Sequence, residues 1–155
     1  MAIEIERKFL VGDDSWRAQA DGGVFYSQGY LSTDPQRCVR VRIAGQRAWF
    51  NIKSAVSSLR RLEYEYEIPL SDARELLHSA CLQPPVQKTR YHVEHHGQVW
   101  EVDVFEGANA GLVVAELELS DEHQPFARPA WLGEEVSDDP RYYNMNLARL
   151  PYTQW

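Results

Sequence analysis

At 155 residues and a formal net charge of −7, the chain is long enough for one domain with a real core, and too acidic overall to present a nucleic-acid surface. No apolar run is long enough to cross a bilayer, and Met1-Ala2-Ile3-Glu4 lacks the basic-then-apolar order of a signal peptide, so a cytoplasmic protein is expected. Cys38 and Cys81 have no metal-type spacing and read as free thiols. An acidic total still leaves room for a local basic site that holds a small polyanion, above all where a divalent cation adds positive charge.

The predicted elements begin with a strand over Ile3–Leu10. Side chains alternate along a strand, so Glu4, Glu6, Lys8 and Leu10 share one face and Ile3, Ile5, Arg7 and Phe9 the other. Gly12-Asp13-Asp14-Ser15 carries helix N-cap chemistry, which predicts a short helix over Trp16–Ala20. A second strand covers Val24–Thr33, with Gln28 and Tyr30 on one face. A third covers Arg37–Ala44, where Cys38, Arg40 and Arg42 face one way and Val39, Val41 and Ile43 the other. Ala44-Gly45-Gln46 turns into a fourth strand over Ala48–Lys53, with Trp49, Asn51 and Lys53 on its polar side. The fifth strand, Arg61–Pro69, shows Arg61, Glu63, Glu65 and Glu67 on one face and Leu62, Tyr64, Tyr66 and Ile68 behind them.

Ser71 reads as the cap of a helix over Asp72–Ala80, with Ala73, Leu76, Leu77 and Ala80 as its apolar stripe. A sixth strand over Val86–Glu94 carries Lys88, Arg90 and His92 on one face. The seventh, Val99–Phe105, carries Glu101 and Asp103, and the eighth, Leu112–Leu119, carries Glu116 and Glu118. The tail predicts a short helix over Pro125–Leu132, an acidic loop over Gly133–Arg141 and a final helix over Tyr143–Leu150.

Strand, helix and three strands thus occur twice, an internal duplication. Hairpin-joined strands are antiparallel, and a strongly twisted eight-stranded sheet tends to close on itself, which removes its edges. The fold expected over residues 1–155 is a single β-dominated α+β domain. It is an eight-stranded antiparallel closed barrel, built from a duplicated β-α-β-β-β unit, with helices packed outside and a C-terminal plug helix.

The charges decide which face lines the barrel. Arg40-x-Arg42 and Glu63-x-Glu65-x-Glu67 stack like charges on single strands, whereas a solvated surface strand mixes signs. Such blocks call for opposite charge bound between them, so the polar faces are read as inside. Arginine pairs suit phosphate through a planar bidentate fork, and carboxylate clusters suit Mg2+ or Mn2+. Together they suit a metal–polyphosphate complex.

Glu4-x-Glu6-x-Lys8 resembles the signature of the CYTH superfamily, the triphosphate tunnel metalloenzymes. Gln28-Gly29-Tyr30, Arg40-x-Arg42, Lys53, Glu63-x-Glu65-x-Glu67, Lys88-x-Arg90, Asp103 and Glu116-x-Glu118 follow in the same order, and Glu135-Val136-Ser137 and Asp139-x-Arg141-Tyr142-x-Asn144 resemble the closing segment. The resemblance covers nearly the whole chain, in a short bacterial form. It implies a charged tunnel acting on triphosphates with Mg2+ or Mn2+. It places Lys8, Arg40, Arg42, Lys53, Lys88 and Arg90 on the substrate and Glu4, Glu6, Asp103, Glu116 and Glu118 on the metal. Glu63, Glu65, Glu67, Tyr30 and Arg141 are supporting candidates. Glu6 and Lys8 are the catalytic candidates. Lys8 is assigned to holding a terminal phosphate and orienting water, not to proton abstraction, because Glu4 and Glu6 flank it on one face.

The expected activity is hydrolysis of a triphosphate, with inorganic tripolyphosphate giving pyrophosphate and phosphate as the first choice. On the same fold, nucleoside or thiamine triphosphate hydrolysis and a class IV-type adenylate cyclase are the alternatives. A non-catalytic polyphosphate- or nucleotide-binding module is the alternative of another class. Neither a nucleic acid nor a membrane is an expected partner, and the apolar outer faces leave room for a homodimer.

Overall fold

The computed structural model describes residues 3–155; Met1 and Ala2, on which the reading of the N-terminus rests, lie outside the described residues. Nine strands form one sheet: β1 (Ile3–Val11), β2 (Val24–Ser32), β3 (Cys38–Ala44), β4 (Arg47–Ala55), β5 (Arg60–Ile68), β6 (Val86–His95), β7 (Gln98–Phe105), β8 (Val113–Leu119) and β9 (Leu132–Glu135). The order is β5-β4-β3-β2-β6-β7-β8-β1-β9, and β1 also pairs with β5, so the first eight strands close into a barrel. Each half lends its first strand to the other half: β1 lies beside β8, and β5 lies beside β4. The equivalent strands β2 and β6 pair with each other, as do β1 and β5. The duplication read in the sequence is therefore built into the closure.

The seam between β1 and β5 is short, running only along Ile3–Ile5. Further along, β9 takes the vacated edge of β1 opposite Phe9 and Val11, and Val136 N–H donates to the Lys8 carbonyl at 2.8 Å. The sequence reading placed residues 133–141 in a loop. The correction has a physical reason: where β5 diverges, the buried polar backbone of β1 needs a partner, and Leu132–Glu135 supplies it.

Other departures are local. The expected helix over Trp16–Ala20 is a 3-10 turn, Ser15–Gln19, whose buried residue is Trp16. Helix α1 (Leu70–Ser79) is entered from Pro69 and has no side-chain cap, so Ser71 is not its cap residue. No helix forms over Pro125–Leu132; two prolines there lack the N–H a helix needs. Instead Phe126 and Trp131 pack edge-on against Trp100, and Phe126 also against Phe9. The final helix, α2, is limited to Asn144–Arg149 and follows a 3-10 turn over Pro140–Tyr142.

The apolar faces point outward. Phe9, Trp100, Val102 and Leu117 lie under the Trp16 turn and the Phe126–Trp131 segment. Val41 and Ala48 lie under Ala73 and Leu77 of α1. Tyr30, Val86, Phe105 and Val114 are different: they share the inward faces of Gln28, Lys88, Asp103 and Glu116, and pack inside the barrel with Leu147 and Ala148 of α2. Gly29 lets α1 approach: a Cβ there would sit 2.8 Å from Leu77 and Cys81 side-chain atoms. Helices do not cover every outer face as expected, since Ile52, Tyr64 and Tyr66 on β4 and β5 remain exposed. No helix of the described residues is long and apolar enough to cross a membrane.

Candidate active site

Alternation sends the polar side chains into the barrel, where they line a cavity of about 250 Å³. β1 contributes Glu4, Glu6 and Lys8; β3 contributes Arg40 and Arg42; β4 contributes Lys53; β5 contributes Arg61 and Glu63. Arg90, Glu101, Glu116 and Glu118 come from β6, β7 and β8. Tyr30, Cys38 and the segment Tyr143–Asn146 complete much of the wall. Six carboxylates and six cations therefore face one space. The chain has three lysines, Lys8, Lys53 and Lys88, and all lie on the inward faces of their strands.

Positive charge is concentrated without compensation on β3. Its register sets Arg40 opposite Tyr30 and Asn51, and Arg42 opposite Gln28 and Trp49, so no acidic neighbour is built in. Among the described residues neither arginine forms an ion pair. Arg40 Nε is buried without a hydrogen-bond partner, and Arg42 Nε donates only to Gln28 Oε1 at 3.1 Å. Burial, with Arg40 and Arg90 close by, pushes the Arg42 pKa down to about 10. Two sheltered guanidiniums without a counter-ion are costly, and an anion in the cavity removes that cost.

The opposite wall is rich in carboxylate. β1 and β8 are paired so that Glu6 faces Glu118 and Lys8 faces Glu116. Burial and the like charges of Glu116 and Glu4 push the Glu6 pKa up to about 7. Burial also raises Glu4, which shares a hydrogen bond with Glu63. Glu116 moves the other way: burial opposes it, but Lys8, Arg90 and Lys88 hold it well below the usual carboxylate range. Its Oε1 lies 3.4 Å from Lys8 Nζ but out of line for a hydrogen bond, and so has no hydrogen-bond partner. Lys53 Nζ reaches Glu4 Oε1 at 3.2 Å and Glu63 Oε2 at 3.7 Å.

Among the described residues no three carboxylate, imidazole or thiol groups converge as a ready-made metal cage. The donor set nevertheless fits a hard divalent ion. It is all oxygen, it includes an orphaned buried acceptor on Glu116, and Glu6 sits where like charges crowd it. Glu4, Glu6, Glu116 and Glu118 are the residues that could hold such an ion.

Lys8 is fixed from outside the cavity. Its backbone N–H donates to Ser137 Oγ at 2.9 Å, Ser137 Oγ donates to Glu135 Oε2 at 2.7 Å, and Glu135 pairs with Arg7. Its Nζ donates to the Tyr142 carbonyl at 3.0 Å. The ammonium thus spans the gap between the Glu116 side of the cavity and the C-terminal segment.

Of the residues singled out in the sequence, Glu4, Glu6, Lys8, Tyr30, Arg40, Arg42, Lys53, Glu63, Arg90, Glu116 and Glu118 come together at the cavity. Five do not line it. Lys88 and Asp103 are fully buried and paired with each other at 2.7 Å, behind the lining of the cavity. Glu65 accepts from Asn51 Nδ2 at 2.7 Å, and Glu67 forms an exposed bidentate pair with Arg47. Arg141 pairs with Asp139 and lies over Trp155, turned away from the cavity. Arg61 was missed as a site residue. It stands opposite Glu4 in the β1–β5 register and its Nη1 is 3.8 Å from Glu6 Oε1. The signal was present, since it shares the face of Glu63, but it sits at the strand end where face assignment depends on the boundary.

A sequence model of the CYTH domain matches residues 2–143. An inorganic triphosphatase of Acetivibrio thermocellus is 46% identical over 152 residues, spanning 98% of this chain and 97% of that protein. One from Nitrosomonas europaea is 40% identical over 152 residues, spanning 94% and 96%. The crystal structure of an inorganic triphosphatase, 38% identical, superposes with a TM-score of 0.67 over 96% of this chain and 95% of that one.

Proposed function

From the premise that this chain belongs to the CYTH domain family, we propose that it is a divalent-metal-dependent triphosphatase that cleaves inorganic tripolyphosphate to pyrophosphate and phosphate. The observation that carries the reading is the uncompensated pair Arg40 and Arg42 facing a wall of carboxylates across one cavity. Plain anion binding needs the first wall and not the second, so the carboxylates favour an enzyme over a binding module.

Arg40, Arg42, Lys53 and Arg90 are assigned to phosphate oxygens, with Arg61 as a further cation of the same wall. Lys8 holds the terminal phosphate and orients the attacking water, exchanging its bond to the Tyr142 carbonyl for one to the substrate. Mg2+ or Mn2+, held among Glu4, Glu6, Glu116 and Glu118, would neutralise phosphate charge and make bound water more acidic. Tyr30 and Tyr143 are the aromatic side chains of the lining, and Tyr30 is buried, which offers no flat slot for a nucleobase and favours the inorganic substrate. The free thiols of Cys38 and Cys81 accord with a cytoplasmic setting.

The deciding experiment measures phosphate release from tripolyphosphate, ATP and thiamine triphosphate in parallel, with Mg2+, Mn2+ or EDTA and with Glu6→Gln as control. Metal-dependent release from tripolyphosphate, lost in the variant, is expected. Preference for ATP or thiamine triphosphate would replace the substrate, and binding without turnover at any metal concentration would replace the function.

A further inference from the structure

Arg61 counts with the cations of the lining, but its nearest charges are carboxylates. Strand β5 lies beside β1 and sets Arg61 opposite Glu4, and Arg61 Nη1 is 3.8 Å from Glu6 Oε1. Among the described residues it is the one cation that pairs with Glu6. Burial opposes its charge, yet Glu6, Glu4 and Glu116 outweigh that and raise its pKa. On its other side stands an aromatic ring of the cavity wall: the guanidinium carbon lies 6.0 Å from the centre of Tyr143.

The other cations of the lining are held differently. Among the described residues Arg40 and Arg42 face no acidic neighbour across β3, Arg90 is clamped by Asp103 through two nitrogens, and Lys8 donates to the Tyr142 carbonyl. Lys53 is the nearest in kind, but at 3.2 Å it donates a hydrogen bond to Glu4 Oε1. At 3.8 Å from Glu6, Arg61 has the attraction without the directional bond.

We infer that Arg61 is the resident counter-ion of the carboxylate wall: it supplies the positive charge beside Glu4 and Glu6 while no divalent ion is bound, sets how tightly such an ion binds there, and turns to the triphosphate once the ion has taken its place. This rests on the triphosphatase reading above. A guanidinium cannot shed its proton to make way, so its charge repels any second cation brought to the same carboxylates. A group held by charge alone is released when a stronger charge satisfies its partners. The anion then within its reach is the phosphate held by Arg40 and Arg42, so metal and triphosphate are coupled through one side chain.

The first test titrates Mn2+ alone into the metal-free protein and follows the electron paramagnetic resonance of the free ion. Arg61→Gln should bind Mn2+ about tenfold more tightly than the wild type, because one repelling charge is gone. Arg42→Gln, which removes a cation from the opposite wall, should change the affinity by no more than about twofold, and Arg61→Lys, which keeps the charge, should stay within about threefold of wild type. Equal or weaker binding by Arg61→Gln would overturn the inference and leave the metal site standing, and so would an equal gain in Arg42→Gln. Mn2+ binding by none of these proteins would overturn the metal-dependent reading, and the inference with it.

The second test measures binding of a non-hydrolysable imido analogue of tripolyphosphate by calorimetry, in EDTA and in excess Mg2+. Arg61→Gln should lose no more than about twofold in affinity in EDTA and about tenfold in Mg2+, since the side chain is free for phosphate only when the ion is bound. An equal loss under both conditions would make Arg61 an ordinary phosphate contact and reject the counter-ion role.

Discussion

Replacing Arg42 by methionine should make the ligand-free protein more stable while disabling it. The pKa of Arg42 is driven from 12.5 to about 10 by burial and by Arg40 and Arg90. A base whose folded pKa is depressed costs stability wherever it is protonated in both states, which includes neutral pH; the displacement corresponds to about 3 kcal/mol. Two losses oppose the gain. Gln28 Oε1 loses its donor, about 1 kcal/mol, and the Tyr26 ring, 4.7 Å from the guanidinium, loses a cation–π contact of about 0.5–1 kcal/mol. The net is a gain of about 1 kcal/mol, or about 2–4 °C in Tm for a chain of this size. Tripolyphosphate at a hundred times its Kd should add about 2.7 kcal/mol to the wild type and far less to the variant. Thermal melts with and without tripolyphosphate should therefore cross: variant above wild type when free, below it when saturated. The reasoning is refuted if the free variant melts lower than wild type, or if both gain equally from the ligand.

Three further outcomes follow from the same geometry. Glu6 has a folded pKa near 7 against an ordinary 4.5, so in EDTA the wild type should lose up to about 3 kcal/mol of stability as pH rises from 4.5 to 7, the protonated form being the one the fold prefers; Glu6→Gln should flatten this slope in urea titrations, and an unchanged slope would refute the assignment. Lys8→Arg should lower kcat by about a hundredfold, because a planar fork cannot keep the point-charge geometry between Tyr142 and Glu116, and near-normal turnover would exclude a specific lysine role. Ser137→Ala should cost about 1–3 kcal/mol by urea unfolding, since it strands the buried Lys8 N–H; a neutral result would mean that water replaces the hydroxyl.

Most of the barrel was legible because eight strands alternate cleanly and their inner faces sort by charge. What escaped was set by partners distant in sequence. Leu132–Glu135 has no alternation of its own and is a strand only because β1 leaves an edge open. Pro125–Leu132 has helix-like spacing, yet its prolines and the aromatic layer around Trp100 decide its path. The site shows the same division. Arg40, Arg42 and the carboxylates of β1 and β8 were read correctly as inward-facing. Lys88 and Asp103 also face inward, but alternation gives direction and not depth, and these two occupy a layer sealed behind Arg90 and Asn144.

The first strand touches three others, β5, β8 and β9, and none of them is its neighbour in sequence. Glu4 and Glu6 meet Lys53 and Arg61 once β4 and β5 are made, but Lys8 finds its partners only after Glu116 and Ser137 have been synthesised. An intermediate that lacks β8 and β9 can hold only the β1–β5 side of the site, because those two strands complete the pairing of β1. Long-range closure of this kind slows folding. It also means that catalytic competence reports the completed topology: an assay started during refolding should show activity only with the last structural phase, and with no earlier partial burst.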